Sequence, residues 1–321
     1  MALNVAVQMD PIDKINIVGD STFALLLEAC ARGHHLSYYT PDRLSLKEGK
    51  VIAVAAPLKV QDKLGDHYHL GPAKARDLAE FDVVLLRQDP PFDLAYITST
   101  HLLEHLPKEV LVANDPASVR NAPEKLFVMN FPELMPPTLI TRERAEIEAF
   151  LDQHGEAVMK PLHGHGGAAV FKISRADPNF GSLYDLFATS FREQWVVQRF
   201  LSRVSEGDKR IILVDGVAAG AVNRVPAAHD IRANLARGGA ATPAQFTARE
   251  KEICTVIGPE LKRLGLIFTG IDVIDGHLTE INVTSPTGLR AIKALGGPDL
   301  AVAIWDAIEA KLMERRAKFF T

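Results

Sequence analysis

The amino-acid sequence predicts an α/β protein in which an open parallel sheet is followed by two parts that mix helices with antiparallel strands. Apolar runs of strand length alternate with helix-like segments through the first third of the chain. Later segments show strand pairs joined by Asp-Gly turns, which are typical of hairpins. With 321 residues the chain is about twice as long as a usual single domain, so we expect two or three domains that share a cleft.

The first part, residues 1–122, begins with one β-α-β unit. The apolar run NVAVQM precedes a helix-like segment that starts at Ser21 and stops at Gly33, and the aromatic run HLSYYT follows it. Two more buried-strand runs, FDVVLLRQDPPF and EVLVANDP, end in proline-rich polar loops. Open parallel sheets usually bind ligands at such strand ends, so this part is predicted to be a Rossmann-like substrate domain.

The remaining chain is predicted to divide at residue 200. Residues 123–200 show the strand TLIT, the helix RERAEIEAFLDQHG, the strand AVMKPL, a glycine loop and the strand AAVFKI. Residues 201–321 show the hairpin RIILVDGVAAGAVNRV, the helix AREKEICTVIGPELKRLG, the hairpin DVIDGHLTEINV and the helix DLAVAIWDAIEAKLMERR. We therefore expect two smaller subdomains after the first domain.

Composition narrows the class of protein. A formal net charge of −4 with both signs mixed along the chain gives no basic stripe for nucleic acid. No apolar run is long enough to span a bilayer, and the N-terminus lacks the features of a signal peptide. We therefore expect a cytoplasmic protein that acts on small molecules, with no nucleic-acid or membrane partner.

The cysteine and histidine residues indicate neither a disulfide nor a metal cluster. Cys30 and Cys254 lie in apolar helical patterns, where buried free thiols are expected. His163 and His165 share one loop but lack a third partner, so we do not expect a structural metal there.

The glycine loop MKPLHGHGGAAVF is a candidate phosphate-binding element. Lys160 ends a strand, and Gly164, Gly166 and Gly167 precede a second strand. Because the glycines do not open a helix, the loop is neither a Walker loop nor a dinucleotide fingerprint. Glycines let backbone amides approach phosphate oxygens, and the lysine can act as a point charge beside them. Read by itself, the loop is equally compatible with an ordinary glycine-rich hairpin.

The hairpin DVIDGHLTEINV is a candidate magnesium site. Glu280 and Asn282 are two residues apart on one strand and therefore share a face. Together with Asp272 they supply the oxygen ligands that Mg²⁺ prefers. A strict two-residue turn at Asp275-Gly276 would point Asp272 away from Glu280, whereas a bulged connection would bring both to one face. The alternative interpretation is a half-exposed strand with polar residues in water.

Several motifs together resemble one family. KPLHGHGGAAVF, EGDKRIILVDG, RANLARGG, GLIFTGIDVI and LTEINVTSPTG are similar to those of the prokaryotic glutathione synthetases of the ATP-grasp superfamily. The likeness extends to MDPIDKINI, DSTFALLLEA, RQDPPFD and EKLF, so it covers nearly the whole chain. It implies a two-part ATP-grasp fold behind the first domain and a homotetramer. It also implies that ATP, γ-glutamylcysteine and glycine give glutathione, ADP and phosphate, with Mg²⁺ or Mn²⁺ as the metal.

The resemblance also implies which residues form the site. The residues that resemble ATP-binding positions are Lys125, Lys160, Gly164, Gly166, Gly167, Gln198, Arg199, Phe200, Leu201 and Asp208. Those that match the metal ligands are Asp272, Glu280 and Asn282. Those that resemble substrate-binding positions are Asp20, Ser21, Arg210, Arg224, Arg232, Ser285 and Thr287. Among these, Arg210 and Lys160 are the expected catalytic residues.

Residues 225–239, VPAAHDIRANLARGG, are predicted to form a lid over the peptide substrate. The segment lacks a long apolar run and ends in two glycines that offer a hinge. Arg232 and Arg237 would be ordered by an anionic substrate. Ala228 and Ala233 stand where the family carries glycines, so a fixed surface loop is the alternative.

Two other functions stay open at this point. The chain could be an ATP-grasp ligase that joins a different carboxylate and amine, because the altered segment is the one expected to touch the peptide. It could also be a regulatory protein that binds ATP without turnover. Release of ADP that depends on both γ-glutamylcysteine and glycine separates the three.

Overall fold

The structure is a computed structural model that describes residues 2–234 and 238–319. The strands of its first sheet are β1 (Asn4–Gln8), β2 (His35–Tyr39), β3 (Leu44–Lys47), β4 (Lys50–Val60), β5 (Tyr68–Leu70), β6 (Lys74–Asp77), β7 (Val83–Leu86) and β8 (Leu111–Ala113). Strands β2, β1, β7 and β8 are neighbours in this order, and they run parallel to one another, as predicted. Strand β4 pairs antiparallel with β2, β3, β5 and β6, which was not predicted. Buried and exposed residues alternate along β4, as is typical of an antiparallel strand with one face exposed to solvent.

Two antiparallel sheets follow. The second contains β9 (Thr138–Thr141), β10 (Glu156–Pro161), β11 (Phe171–Ser174) and β12 (Trp195–Arg199), in the order β11-β10-β12-β9. The third contains β13 (Asp208–Val214), β14 (Val217–Val225), β15 (Ala240–Pro243), β16 (Phe268–Ile274) and β17 (His277–Asn282), in the order β15-β14-β13-β16-β17. The antiparallel pairing predicted for the middle of the chain is confirmed.

The helices are α1 (Ser21–Ala31), α2 (Leu94–Leu103), α3 (Pro116–Asn121), α4 (Glu124–Phe127), α5 (Arg144–His154), α6 (Phe180–Ser190), α7 (Ala248–Arg263), α8 (Leu289–Ala294) and α9 (Leu300–Phe319). The predicted helices α1, α5, α7 and α9 are present, whereas α2, α3, α4, α6 and α8 were not predicted. Within the described ranges, no helix is both long and apolar enough to cross a bilayer.

Local side chains fix where these elements begin and turn. Helix α1 begins at Ser21 because the Asp20 carboxylate accepts a hydrogen bond from the amide of Phe23 at 2.6 Å. Helix α7 begins with a capping box in which Thr247 and Glu250 each bind the other's backbone amide. Both cysteines are free thiols; Cys254 is buried, whereas Cys30 is half-buried.

The β16–β17 hairpin combines a two-residue turn with a bulge. Asp275 and Gly276 have φ angles of 48° and 70°, the left-handed pair that a tight hairpin turn needs. The register shifts beyond the turn, so that Asp272 is paired with Glu280 while Val273 is paired with Leu278. The bulge supplies the extra residue that the turn lacks. The prediction that Asp272 and Glu280 share a face is therefore confirmed.

The hydrophobic core joins the first and third sheets. One buried cluster includes Val84 and Leu86 of β7 together with Ile211 of β13 and Ile271 of β16. The second sheet has a cluster of its own, which includes the fully buried Trp195. The second sheet therefore has a core separate from the one that joins the first and third sheets, and the predicted boundaries at residues 122 and 200 stay predictions.

Asn114, which directly follows β8, connects the first sheet to the third. Its Nδ2 donates to the carbonyl oxygens of Phe268 and Val283, each at 2.8 Å, and its Oδ1 accepts from the amide of Phe268 at 2.9 Å. We expect Asn114→Ala to lower the free energy of unfolding by about 2–4 kcal/mol, because it leaves buried backbone groups without partners. Urea unfolding measures this, with the exposed Asn121→Ala as control. Equal stability of the two variants would contradict it.

Candidate functional site

A cleft of about 460 Å³ lies between the second and third sheets. Its walls come from β10 and β12 on one side and from β13, β14, β16 and β17 on the other. All of the predicted site residues line it except Asp20 and Ser21. The cleft therefore collects side chains that are far apart in the sequence, although their individual roles stay predictions.

The floor of the cleft holds a buried carboxylate between two arginines. Asp272 Oδ1 accepts from Arg210 Nε at 2.6 Å and lies 3.0 Å from Arg224 Nη2. Asp272 Oδ2 accepts from Arg210 Nη2 at 3.1 Å. Burial opposes the ionisation of Asp272, but the two guanidinium groups outweigh it and hold the pKa of Asp272 below its usual range. Asp272 is therefore a carboxylate at neutral pH and keeps both arginines directed into the cleft.

Asp208, at the start of β13, has a raised pKa, in contrast to Asp272. Arg224 Nη2 donates to its Oδ2 at 2.5 Å, whereas its Oδ1 is buried without a hydrogen-bond partner among the described residues. Burial raises the pKa of Asp208 to about 7, since the attraction of Arg224 offsets it only in part. Asp208 can therefore exchange a proton near neutral pH.

Glu280 forms a second charged group with two lysines. Lys160 Nζ donates to Glu280 Oε1 at 2.9 Å, and Lys125 Nζ lies 3.6 Å from the same oxygen. Lys125 also donates to Glu124, the preceding residue. Burial opposes the charge on Glu280, yet the attraction of Lys125 and Lys160 lowers its pKa. Both predicted ATP-binding lysines are thus held beside a predicted metal ligand.

The donor set of the hairpin fits a hard divalent cation. Asp272, Glu280 and Asn282 all line the cleft, and Asn282 Nδ2 is buried without a described hydrogen-bond partner. No group of three or more His, Cys, Asp and Glu side chains is placed to hold a metal ion in the described ranges. By donor type alone, two carboxylates and one amide oxygen fit a cation that takes its remaining ligands from water and phosphate, as Mg²⁺ does.

The glycine loop connects β10 to β11 and lies across the cleft. Gly166 and Gly167 have φ angles of 59° and 72°, which favour glycine. Lys125 Nζ donates to the carbonyl oxygen of Gly164 at 2.6 Å, so one lysine holds both the loop and Glu280. The strand-loop-strand arrangement predicted from the sequence is confirmed.

The glycine loop also contacts the predicted lid. A Cβ atom on Gly167 would lie 2.6 Å from Asn234 Oδ1, so a larger residue would collide with that segment. Within the lid, Arg232 donates to the Asp230 carboxylate, at 2.8 Å between Nη2 and Oδ2. Arg237 lies outside the described residues. The glycine loop and the predicted lid therefore meet, and residues of both line the cleft.

The segment after β12 provides an apolar wall. Gln198 Nε2 donates to Thr138 Oγ1 at 2.9 Å, which fixes the strand end. Phe200 lies beneath Lys172 Nζ, 4.3 Å from its ring centre, and Leu201 is 8% exposed. Such a wall suits a flat aromatic base, as the resemblance implies for Gln198 to Leu201.

Asp20 and Ser21 approach the cleft from outside. Asp20 caps α1, while Ser21 Oγ accepts from the backbone amide of Gly288 at 3.1 Å. Gly288 itself lines the cleft beside Ser285 and Thr287. In this structure Ser21 supports the backbone at Gly288, and its predicted contact with substrate stays a prediction.

Sequence reasoning missed several lining residues. Glu124 and Asp89 place two more carboxylates in the cleft, and Asn234 meets the glycine loop. Both carboxylates could have been found from the sequence. Glu124 directly precedes the predicted ATP-binding residue Lys125, and Asp89 lies in the motif RQDPPFD. Asn234 lies in the motif RANLARGG, but its proximity to Gly167 could not be predicted, because the two residues are far apart in the sequence.

Comparison with known families matches nearly the whole chain. A model of the prokaryotic glutathione synthetase N-terminal domain matches residues 3–120, and a model of the ATP-grasp domain of the same family matches residues 124–297. The glutathione synthetase of Rhodopseudomonas palustris is 67% identical over 97% of this chain and 99% of its own length. That of Bradyrhizobium diazoefficiens is 66% identical over the same shares.

Solved structures show the same fold at low identity. The D-cycloserine synthetase DcsG has a TM-score of 0.65 at 16% identity and covers 96% of this chain and 100% of its own. The ATP-grasp ligase PsnB, complexed with a minimal precursor, Mg and ADP, has a TM-score of 0.62 at 16% identity, over 96% of this chain and 98% of its own. These neighbours place the chain within the ATP-grasp fold.

Proposed function

The chain belongs to the prokaryotic glutathione synthetase family, and from this premise we propose how its cleft performs ATP-dependent glutathione synthesis. The enzyme is a ligase that forms a peptide bond. The proposal rests on the charged groups in the cleft. Paired strands bring Asp272 and Glu280 to one face, and four cationic side chains surround these carboxylates. Such a site can gather phosphate and carboxylate groups around a metal.

We propose Mg²⁺ as the divalent metal, with Mn²⁺ as a substitute. Glu280 and Asn282 would hold it together with Asp272, once Asp272 exchanges part of its contact with the arginines. When bound, the metal neutralises charge on the phosphates of ATP. Lys125 and Lys160 lie beside Glu280 and would place their charges next to the same phosphates.

In the first step the C-terminal carboxylate of γ-glutamylcysteine attacks the γ-phosphorus of ATP. The bond to the β-γ bridging oxygen breaks, ADP leaves and an acyl phosphate forms. Lys160 and the glycine-loop amides neutralise charge on the transferred phosphoryl group. The apolar wall at Phe200 and Leu201 receives the adenine. Catalysis here is positioning and charge compensation, which is what buried cations supply.

In the second step the glycine amine attacks the acyl carbon. A tetrahedral intermediate forms, the C–O bond to phosphate breaks, and the amine loses a proton. Arg210 is placed to stabilise the oxyanion, because Asp272 fixes its guanidinium group inside the cleft. Asp208 lines the same cleft, its Oδ1 has no hydrogen-bond partner among the described residues, and burial raises its pKa to about 7, so we propose it as the acceptor of this proton.

A coupled assay for ADP release tests the proposal. We expect ADP release only when γ-glutamylcysteine and glycine are both present. Equal turnover with another dipeptide or amine would favour a different ATP-grasp ligase. ATP binding without turnover would favour the regulatory protein. A cytoplasmic location and a homotetramer remain predictions from composition and resemblance.

Limited proteolysis with trypsin tests the proposed lid. Arg232 lines the cleft, so bound ATP and γ-glutamylcysteine should give its segment additional contacts and slow cleavage after Arg232 and Arg237. We expect at least about a tenfold slower cleavage with both ligands. Cleavage after the exposed Arg192 gives an internal reference for trypsin activity. Unchanged rates after Arg232 and Arg237 would show a fixed surface loop.

A further inference from the structure

A buried arginine at the end of β7 has no role in the mechanism above. Arg87 is 4% exposed. Its Nε donates to Thr22 Oγ1 at 3.1 Å, and its Nη2 donates to the carbonyl oxygen of Pro286 at 3.0 Å. Its guanidinium carbon lies 4.8 Å from the ring centre of Phe268. Both of these hydrogen-bond acceptors are uncharged groups.

The charge of Arg87 is not compensated at close range. No described carboxylate forms an ion pair with it; Asp89 and Asp20 act on it from farther away. Burying a charge without a partner is costly, and a neutral glutamine could also donate to a carbonyl or hydroxyl oxygen. These two hydrogen bonds alone therefore do not explain why a positively charged residue is buried at this position.

Arg87 holds a segment that faces the cleft. Ser285 and Thr287 of this segment both line the cleft. The first domain supports the same segment a second time, because Ser21 Oγ accepts from the amide of Gly288 at 3.1 Å and from the next amide at 3.2 Å. The segment is therefore shaped by residues that lie outside the ATP-grasp part of the chain.

The segment is also held from inside the cleft. Arg210 Nη1 donates to the carbonyl oxygen of Thr287 at 3.2 Å, one residue beyond the carbonyl that Arg87 holds. Two guanidinium groups thus bind consecutive carbonyls from opposite sides. Arg210 is thus a second anchor of this segment, and an Arg87 variant retains it, so the guanidinium group proposed to stabilise the oxyanion should keep its position.

We propose that Arg87 is a positioning residue for the amino-acid acceptor. It fixes the backbone of residues 285–288, and its uncompensated charge favours the carboxylate of the acceptor that this segment receives. The inference rests on the proposed function, since it requires the acceptor to bind beside Ser285 and Thr287. A carboxylate that is not consumed in the reaction is the group that a distant buried cation can attract without hindering catalysis.

Steady-state kinetics of Arg87→Gln test this inference. Glutamine keeps a hydrogen-bond donor but removes the charge. We expect the KM for glycine to rise about tenfold or more, while kcat and the KM for ATP change by less than about threefold. Arg87→Lys, which keeps the charge but has a different shape, should give an intermediate KM for glycine. An unchanged KM for glycine, or an equal rise in the KM of all three substrates, overturns the inference.

Ser21→Ala gives a second test that does not depend on the folding of an Arg87 variant. It removes the hydroxyl that accepts from two amides of the same segment. The KM for glycine should again rise more than the KM for ATP, and an equal effect on both would contradict the inference. Wild-type enzyme must first show ADP release that depends on glycine. Failure of that assay refutes the proposed function, whereas failure of the variants alone refutes only the role of Arg87.

Discussion

Glu280→Gln is expected to lower turnover by about a thousandfold or more while the enzyme stays folded. Glutamine has nearly the same size, but it removes the charge that lies 2.9 Å from Lys160 Nζ and 3.6 Å from Lys125 Nζ. The proposed metal would lose an anionic ligand, and the lysines would lose their common partner. Coupled ADP release at several magnesium concentrations measures the effect, and circular dichroism verifies the fold.

Glu124→Gln is the matched control for this variant. Glu124 also binds Lys125, but it is not among the proposed metal ligands. We expect its loss of turnover to be smaller by at least about tenfold. Near-normal activity of Glu280→Gln at low magnesium concentration would contradict the metal assignment, as would an equal loss in both variants.

Lys160→Met is expected to weaken ATP binding by about tenfold and to lower turnover by about a hundredfold. Lys160 is buried. Methionine removes its charge but keeps most of the length of the side chain, so the packing around this position should be retained. Glu280 keeps Lys125 as a partner, which limits the loss of stability. Titration with ATP and a full kinetic analysis separate the effect on binding from the effect on the reaction.

A surface lysine provides the control for Lys160→Met. Lys251 is exposed on α7 and lies away from the cleft, so Lys251→Met should leave ATP affinity and turnover unchanged. Unchanged ATP affinity and turnover in Lys160→Met as well would mean that the glycine loop is an ordinary hairpin connection.

Much of the fold was visible in local patterns. The Asp-Gly turns, the strand-loop-strand with its glycines, and the parallel strands of the first sheet follow from residue preferences that act over a few positions. Among the unpredicted strands, β4 contains the apolar run VIAVAAPL, a strand signal that the sequence did offer, whereas β3, β5 and β6 have only three or four residues each. Helix α2 was also missed, although Asp93 caps its first turn by accepting a hydrogen bond from the amide of Tyr96.

The sequence alone could not decide the register of the β16–β17 hairpin. Two-residue turns and bulges are both compatible with Asp275-Gly276, and the choice decides whether Asp272 faces Glu280. The structure combines the two devices, because the side-chain pattern on β17 must meet the core on one face and the cleft on the other. A local pattern cannot reveal this, since the partner strand decides the register.

The sequence by itself determined the family, the reaction class and the residue types gathered in the cleft, because these depend on motifs that are continuous in the chain. Only the tertiary structure decided which charges meet. Arg224 shares Asp272 with Arg210, Lys125 shares Glu280 with Lys160, and Arg87 reaches Pro286. The residues in each of these contacts lie on different structural elements. Electrostatic interactions depend on distance in space and on burial, which spacing along the chain does not specify.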